Sequence, residues 1–277
     1  MRFRTEETTR FISPLLGYDK PVALLGSCFS DNMAERLRRD LFDVTVNPFG
    51  PLYNPASLCS VLRRIVEAKP YTIEELFQGP DGLWHSFDHN TSFSAKTPEE
   101  SLERINVALA EAHEGLSKSR VLFVTLGTAW VFYHGDDNIV ANCHKLPQRE
   151  FVRRLLSVEQ VVDYLEQING LAGCPCVFTV SPIRHLADGL HGNTLSKSVL
   201  HLAIEKAGVE YFPAYEMLID DLRDYRFYAA DMKHPSEVAA DYIYEKLLGT
   251  YASADTRARI PECRAISARR AHRPIAR

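Results

Sequence analysis

Short runs of consecutive apolar residues alternate along this chain with stretches whose apolar positions recur every three or four residues. The runs predict strands buried on both faces, and the stretches between them predict helices that cover those faces. Strands are expected at Pro21 to Leu25, Asp43 to Asn47, Val121 to Leu126, Val177 to Val180 and Val209 to Phe212, the third being almost wholly apolar, as a central strand requires. Helices are expected over Phe29 to Leu41, where Phe29, Met33, Leu37 and Leu41 share one face, and over 55–66, 99–116, 158–168, 194–206, 214–222 and 235–248. Repetition of strand then helix predicts an α/β fold, a three-layer α/β/α sandwich around a mainly parallel sheet of about five strands.

Two segments break the rhythm. Residues 68–98 hold Gly79, Pro80, Gly82 and Trp84 and read as an irregular excursion; in 130–148, Val131 to His134 and Ile139 to Asn142 flank Gly135-Asp136-Asp137-Asn138, a hairpin signal. Loops of such length in a compact domain tend to carry function.

At 277 residues, 45% hydrophobic and 25% charged, the composition excludes a collagen-like, coiled-coil or disordered chain. No apolar stretch is long enough to cross a bilayer, and the first twelve residues lack the apolar block of a signal peptide, so a soluble, cytoplasmic protein without a membrane partner is expected. Residues 252–277 carry seven Arg against two acids, a net +5, which leaves 25 bases against 34 acids, or −9, for residues 1–251. So acidic a body does not suit a nucleic-acid partner. The expectation is a single domain over 1–251 followed by a disordered basic tail. Six cysteines without a secretory signal predict no disulfide framework.

In an open parallel sheet, chemistry collects beyond the carboxyl ends of the strands. After the first strand comes Gly26-Ser27-Cys28-Phe29; Gly26 permits a tight turn and Ser27 is placed at the start of the following helix. There it is either an N-cap or a nucleophile. Near the other end stands Asp231-Met232-Lys233-His234-Pro235-Ser236. Pro235 pushes His234 into an extended conformation before the helix begins, and Asp231 can curl under it to hold one ring nitrogen. Ser27, His234 and Asp231 together make the hydroxyl, base and orienting carboxylate of nucleophilic catalysis. Cys28 is expected to point away, into the helix packing. His85, Asp88 and His89 offer a metal site or a lid; without a third ligand in sequence no metal is expected, and no cofactor is implied.

These segments resemble the GSCFA family. Leu24-Leu25-Gly26-Ser27-Cys28-Phe29 matches its signature, with Ser30 where the family usually has Ala. Val46-Asn47-Pro48-Phe49-Gly50 with Tyr53-Asn54-Pro55, Leu126-Gly127-Thr128-Ala129-Trp130, Ala141-Asn142-Cys143-His144-Lys145, Ser181-Pro182-Ile183-Arg184-His185 and Asp224 to Ser236 look like the same family. The family is similar in turn to the SGNH/GDSL hydrolases, flavodoxin-like α/β/α enzymes that cleave esters with Ser, His and Asp. Carried over, that resemblance implies Ser27 as nucleophile, His234 and Asp231 as base and orienter, and an oxyanion hole from the backbone N–H groups of Ser27 and Gly50. The Gly-x-Asn-Asp block of those enzymes reads Gly127-Thr128-Ala129-Trp130 here, without the Asn; Asn142 is the candidate replacement donor. Asn54, His89, Trp130, His144 and His185 are the candidate substrate-binding side chains. The implied function is a serine esterase acting on a small O-acyl ester; Trp84, Trp130, His144 and Tyr53 favour an acylated carbohydrate. The alternatives are an O-acyltransferase and a non-catalytic ligand-binding module on the same scaffold.

Overall fold

The computed structural model describes residues 4–271. In chain order the elements are β1 (Val22–Gly26), α1 (Cys28–Arg39), β2 (Val44–Val46), α2 (Pro55–Val66), β3 (Phe77–Gln78), β4 (Trp84–His85), α3 (Pro98–Lys118), β5 (Val121–Leu126), β6 (Trp130–His134), β7 (Asn138–Val140), β8 (Phe151–Leu155), α4 (Val158–Leu171), β9 (Cys176–Val180), α5 (Gly189–Ala207), α6 (Ala214–Glu216), α7 (Glu237–Tyr251) and α8 (Ala254–Ala271).

The central sheet is parallel throughout, in the order β2-β1-β5-β9. Successive side chains of a strand point to opposite faces, and here both faces are apolar. Ala23, Leu25, Leu122, Val124, Phe178 and Val180 pack under α2, α3, α4 and α5, whereas Val22, Leu24, Val121, Phe123 and Val177 pack under α1 and α7. This is the three-layer α/β sandwich that the alternating pattern implies. The segment expected as a fifth strand adds only a parallel bridge between Tyr211 and Phe178, with Phe178 N–H donating to the Glu210 carbonyl at 2.8 Å. The sheet proper therefore has four strands.

The expected hairpin is present as β6 and β7, and it gains a third antiparallel strand, β8, on the other edge of β6. The last of the expected helices, α7, begins at Glu237, two residues later than expected, because Ser236 is its N-cap and accepts from the Ala239 N–H. The tail differs more. Residues 254–271 form a helix where disorder is expected; 272–277 of that expectation lie outside the described residues. Its Ile260 and Cys263 are buried on one face, and Arg264 makes two hydrogen bonds, 2.8 and 2.9 Å, to the carboxylate of Asp40. Asp40 closes α1 and is fully buried, so it requires a cation. The chain supplies one from 224 residues away. No helix among the described residues is long and apolar enough to cross a membrane.

Candidate active site

β1 ends against its neighbour at Gly26. A Cβ there, at φ +145°, would stand 2.3 Å from the Thr125 carbonyl oxygen, so the close approach of β1 and β5 needs glycine. Ser27 follows as the N-cap of α1, fully buried, and its hydroxyl accepts the Phe29 N–H at 3.3 Å. Among the described residues this hydroxyl makes no hydrogen bond to His234, the partner the sequence reading expects for it. Cys28, the first helical residue, takes that place: its Sγ lies 3.7 Å from His234 Nε2. The half-buried thiol also packs against the apolar cluster of α1, in keeping with the expected helix packing. It shares the incompletely buried flank of the helix with Asp31, Asn32 and Glu35, while Phe29, Met33 and Leu37 face the core.

The histidine is held as the Asp-x-x-His spacing implies. Asp231 Oδ2 is 2.5 Å from His234 Nδ1, and Asp231 Oδ1 accepts the N–H groups of Lys233 at 2.9 Å and His234 at 3.0 Å. The His234 N–H, then its ring, then the Lys233 N–H hold the Asp231 carboxyl far below the ordinary carboxylate range. A carboxylate on Nδ1 fixes the proton there and leaves the Nε2 lone pair toward the thiol. The loop carrying the pair is closed by its own backbone, with Ala229 N–H donating to the His234 carbonyl at 2.8 Å and Ser236 N–H to the Phe227 carbonyl at 2.8 Å. A second element pins it, the Arg184 N–H donating to the Lys233 carbonyl at 3.2 Å.

Burial first, and then Asp31, push the Cys28 thiol above the ordinary cysteine range. At neutral pH it rests as S–H, not as thiolate, so it could act as a nucleophile only with a base to take its proton. The Tyr53 phenol is pushed up to about 12 by burial and by Cys28 and Asp31. Its ring meets His185 edge-on at 5.6 Å, and its carbonyl accepts the N–H groups of Gly127 and Thr128, each at 2.8 Å. Below lies Lys197, fully buried, whose Nζ donates to the carbonyls of Gly127 and Ser181 at 2.7 Å each. Cys28 and Lys197 carry no expectation as site residues in the sequence reading, and Tyr53 enters it only among the aromatic residues that favour a carbohydrate. For Cys28 the signal was present, since its neighbours one turn on, Asp31 and Asn32, are polar.

Both backbone donors expected in an oxyanion hole are engaged elsewhere. Ser27 N–H donates to the Thr125 carbonyl at 3.2 Å, continuing the sheet ladder, and Gly50 N–H donates to the Asn47 carbonyl at 2.8 Å. At the start of α1 the Phe29 N–H goes to Ser27 Oγ and the Ser30 N–H to the Ser27 carbonyl. The Cys28 N–H is the one left at the helix end. Asn142 is held by its backbone N–H on the Phe87 carbonyl at 3.0 Å, and its amide nitrogen is buried without a partner among the described residues.

Three expected substrate-binding side chains are structural instead. Asn54 caps α2, its amide oxygen accepting the Ser57 N–H at 2.8 Å and its nitrogen donating to Ser57 Oγ at 3.0 Å. His89 is fully buried between Phe49 and Tyr71 with Nδ1 on Ser86 Oγ at 2.9 Å, and burial pulls it down to about 3. His144 spends Nε2 on the Ser86 carbonyl at 2.7 Å, and its ring lies tilted against that of His85, centroids 4.4 Å apart. Asp88 accepts from the Tyr71 hydroxyl, and His85 contacts Asp81 and Ser94, so the three residues weighed as a metal site have separate partners. Trp130 donates from its indole to the Gly192 carbonyl at 3.3 Å. His185 does reach the site: its Nε2 is buried without a partner, and burial together with Lys197, Arg153 and His234 pulls it down to about 4. Of the four residues behind the carbohydrate expectation, Tyr53 alone is placed beside the thiol by these contacts; Trp84 packs against the core of the sheet.

No curated protein matches the chain. Among solved structures it is similar to the psychrotrophic esterase EstA from Pseudoalteromonas sp., inhibited by monoethylphosphonate in that crystal, at 12% identity and a TM-score of 0.38 over 84% of this chain and 96% of the other. The GSCFA family pattern runs through residues 21–247, from the first residues of the β1 region to the middle of α7 and across every residue of the Cys28, His234 and Asp231 cluster. The chain belongs to the GSCFA family.

Proposed function

We propose that the protein is an acyl hydrolase that cleaves a small O-acyl ester through a thiol nucleophile, Cys28, with His234 as base and Asp231 as orienter. The observation that carries this reading is the approach of Cys28 Sγ to within 3.7 Å of His234 Nε2, with the opposite ring nitrogen on Asp231 at 2.5 Å. Hydrolysis on this geometry has two halves. As sulfur attacks the ester carbonyl, the thiol proton passes to Nε2 and the imidazolium is stabilised by Asp231. The carbonyl oxygen becomes an oxyanion, held by the Cys28 N–H at the positive end of α1, with the buried Asn142 amide as the side-chain donor. Collapse breaks the C–O bond, the alcohol leaves with the proton from His234, and a thioester remains on Cys28. Water then attacks the thioester, giving its proton to Nε2; the acid departs and the proton returns to sulfur.

A thioester differs from a serine ester in a way that can be read directly, because neutral hydroxylamine cleaves it. Incubation with p-nitrophenyl acetate, followed by intact mass and peptide mapping, is expected to show an acetyl group on Cys28 that hydroxylamine removes. Cys28→Ala loses the adduct. Asp231→Asn slows acylation by roughly 10²–10⁴-fold, since the wrong tautomer leaves Nε2 without its lone pair. An adduct that persists in Cys28→Ala, or one that maps to Ser27, sinks the proposal.

A further inference from the structure

Arg38, Arg63 and Arg154 have no carboxylate within 4 Å among the described residues, but the arginines at several buried elements are matched: Arg36 with Glu237 and Asp241, Arg64 with Glu75, Arg153 with Asp188, Arg264 with Asp40. Arg184 is not. No carboxylate lies within 4 Å of its guanidinium among the described residues, and its one side-chain hydrogen bond runs to the neutral Tyr225 hydroxyl at 3.4 Å. The nearby acids are committed, Asp231 to His234 and Asp224 to Arg226. The guanidinium is nevertheless held in place, stacked over Tyr228 at 4.2 Å and Tyr225 at 5.1 Å. Two aromatic faces orient a planar cation and leave its edge, the part that carries the N–H donors, with the Tyr225 hydroxyl as its one recorded acceptor among the described residues.

Its position is tied to the dyad. Arg184 follows β9 at the carboxyl end of the sheet, its own N–H donates to the carbonyl of Lys233, and the next residue is His234. Lys233 adds a second positive charge that no carboxylate neutralises among the described residues. A stacked, unpaired guanidinium within a side chain's length of the base matches one kind of partner, an oxyanion with two adjacent oxygens that can take the fork in both of its prongs.

We propose that Arg184 anchors an anionic group, a carboxylate or a phosphate, on the ester whose acyl carbonyl meets Cys28. The inference rests on the hydrolase reading of the site and assigns its substrate class: a half-ester of a dicarboxylic acid, or the acyl ester of a phosphorylated alcohol. Arg184 is a specificity residue here and takes no part in bond making. Lys233 strengthens the local positive field without the geometry for a bidentate contact.

The test pairs turnover with binding. Monoacetylglycerol, monoacetylglycerol phosphate and p-nitrophenyl hemisuccinate, with p-nitrophenyl acetate as the uncharged control, are assayed on the wild type, Arg184→Met and Arg184→Lys. The wild type is expected to favour the phosphate pair or the succinate pair over its neutral counterpart, and the favoured pair names the anion. In Arg184→Met that preference falls by roughly 10- to 100-fold, the size of a lost charge-assisted pair, and the loss appears in KM more than in kcat. Arg184→Lys recovers part of it, and added salt weakens the wild-type preference. Equal handling of charged and neutral esters by the wild type, or a preference that survives Arg184→Met, overturns the anchor even while Cys28-dependent turnover continues. Binding of the same anionic esters to Cys28→Ala, followed by calorimetry, stands apart from chemistry. If it is present and lost with Arg184 while the wild type turns over no ester, the anchor holds and the hydrolase reading fails; if no anionic ester binds, the anchor fails.

Discussion

Lys197 offers a quantitative test of how the site is built. Its Nζ is fully buried and joins the carbonyls of Gly127 and Ser181, the residues that follow β5 and β9, so it fastens together the two strand ends beneath Cys28. Burial pulls its pKa from 10.5 down to about 7. For a base whose folded value is depressed, both states are protonated below the folded value and the stability there is constant and low. Above it the folded protein has shed the proton while the unfolded chain keeps it until about pH 10.5, so stability rises with pH across the window from 7 to 10.5. The proton difference between pH 7.5 and 9.5 is a little under one, which makes the slope about 1.2 kcal/mol per pH unit and the rise about 2 kcal/mol. Lys197→Met keeps the length of the side chain and removes the titration. Urea unfolding of both proteins at the two pH values cancels every other titrating group, and the wild-type advantage should grow by about 2 kcal/mol from the lower pH to the higher. Parallel pH dependences would show that Lys197 keeps an ordinary pKa in the folded protein, and the strand-end fastening described here would then be wrong.

On the proposed reading, Ser27→Ala removes the N-cap of α1 and leaves the nucleophile in place. It should cost about 1 kcal/mol, a fall in melting temperature of roughly 2–4 °C, with acylation of Cys28 retained; loss of the Cys28 adduct in a variant whose circular dichroism is unchanged would return the nucleophile to Ser27. Arg264→Met leaves the Asp40 carboxylate buried with Tyr244 and Arg39 as its remaining partners. A broken buried pair costs about 3–5 kcal/mol, and since the Arg264 side chain is 41% exposed the expectation is lower, about 1–3 kcal/mol in urea unfolding. A variant as stable as the wild type would mean that α8 does not depend on this ion pair.

The layers of the fold were legible because strands buried on two faces must be apolar at nearly every position, and Val121–Leu126 is. The elements that escaped depend on contacts distant in sequence. β8 reads Phe-Val-Arg-Arg-Leu, and two arginines break the apolar run that marks a strand. In the structure they remain in the sheet because Arg153 lies over the Phe132 ring at 4.7 Å and Arg154 over the Tyr133 ring at 4.8 Å, both rings on the paired strand β6. Cross-strand stacking lets a cation occupy a strand position that hydropathy assigns to a loop. The reverse holds at 209–212: the segment is apolar enough for a strand, but Gly208 in the left-handed conformation before it and Pro213 after it leave room for a single bridge.

At the site, the legible part was local. Asp231 and His234 are three residues apart, so the spacing alone put carboxylate and imidazole together. Which of two adjacent residues meets that imidazole, 206 residues away, was decided by the junction of β1 and α1. A strand that runs into a helix spends its last N–H on the sheet, as Ser27 does on Thr125, and the residue at the junction spends its side chain on the helix's first free N–H, as Ser27 does on Phe29. The serine N–H is spent on the sheet and its oxygen accepts at the helix end, contacts that leave its O–H donor unused. One position later the ladder has ended and the helix has not yet closed its first hydrogen bond, so Cys28 has a side chain clear of the cap and an N–H clear of the ladder. On the proposed reading, nucleophile and oxyanion donor come from the same residue, because the strand-to-helix junction that occupies Ser27 leaves the Cys28 thiol facing the imidazole.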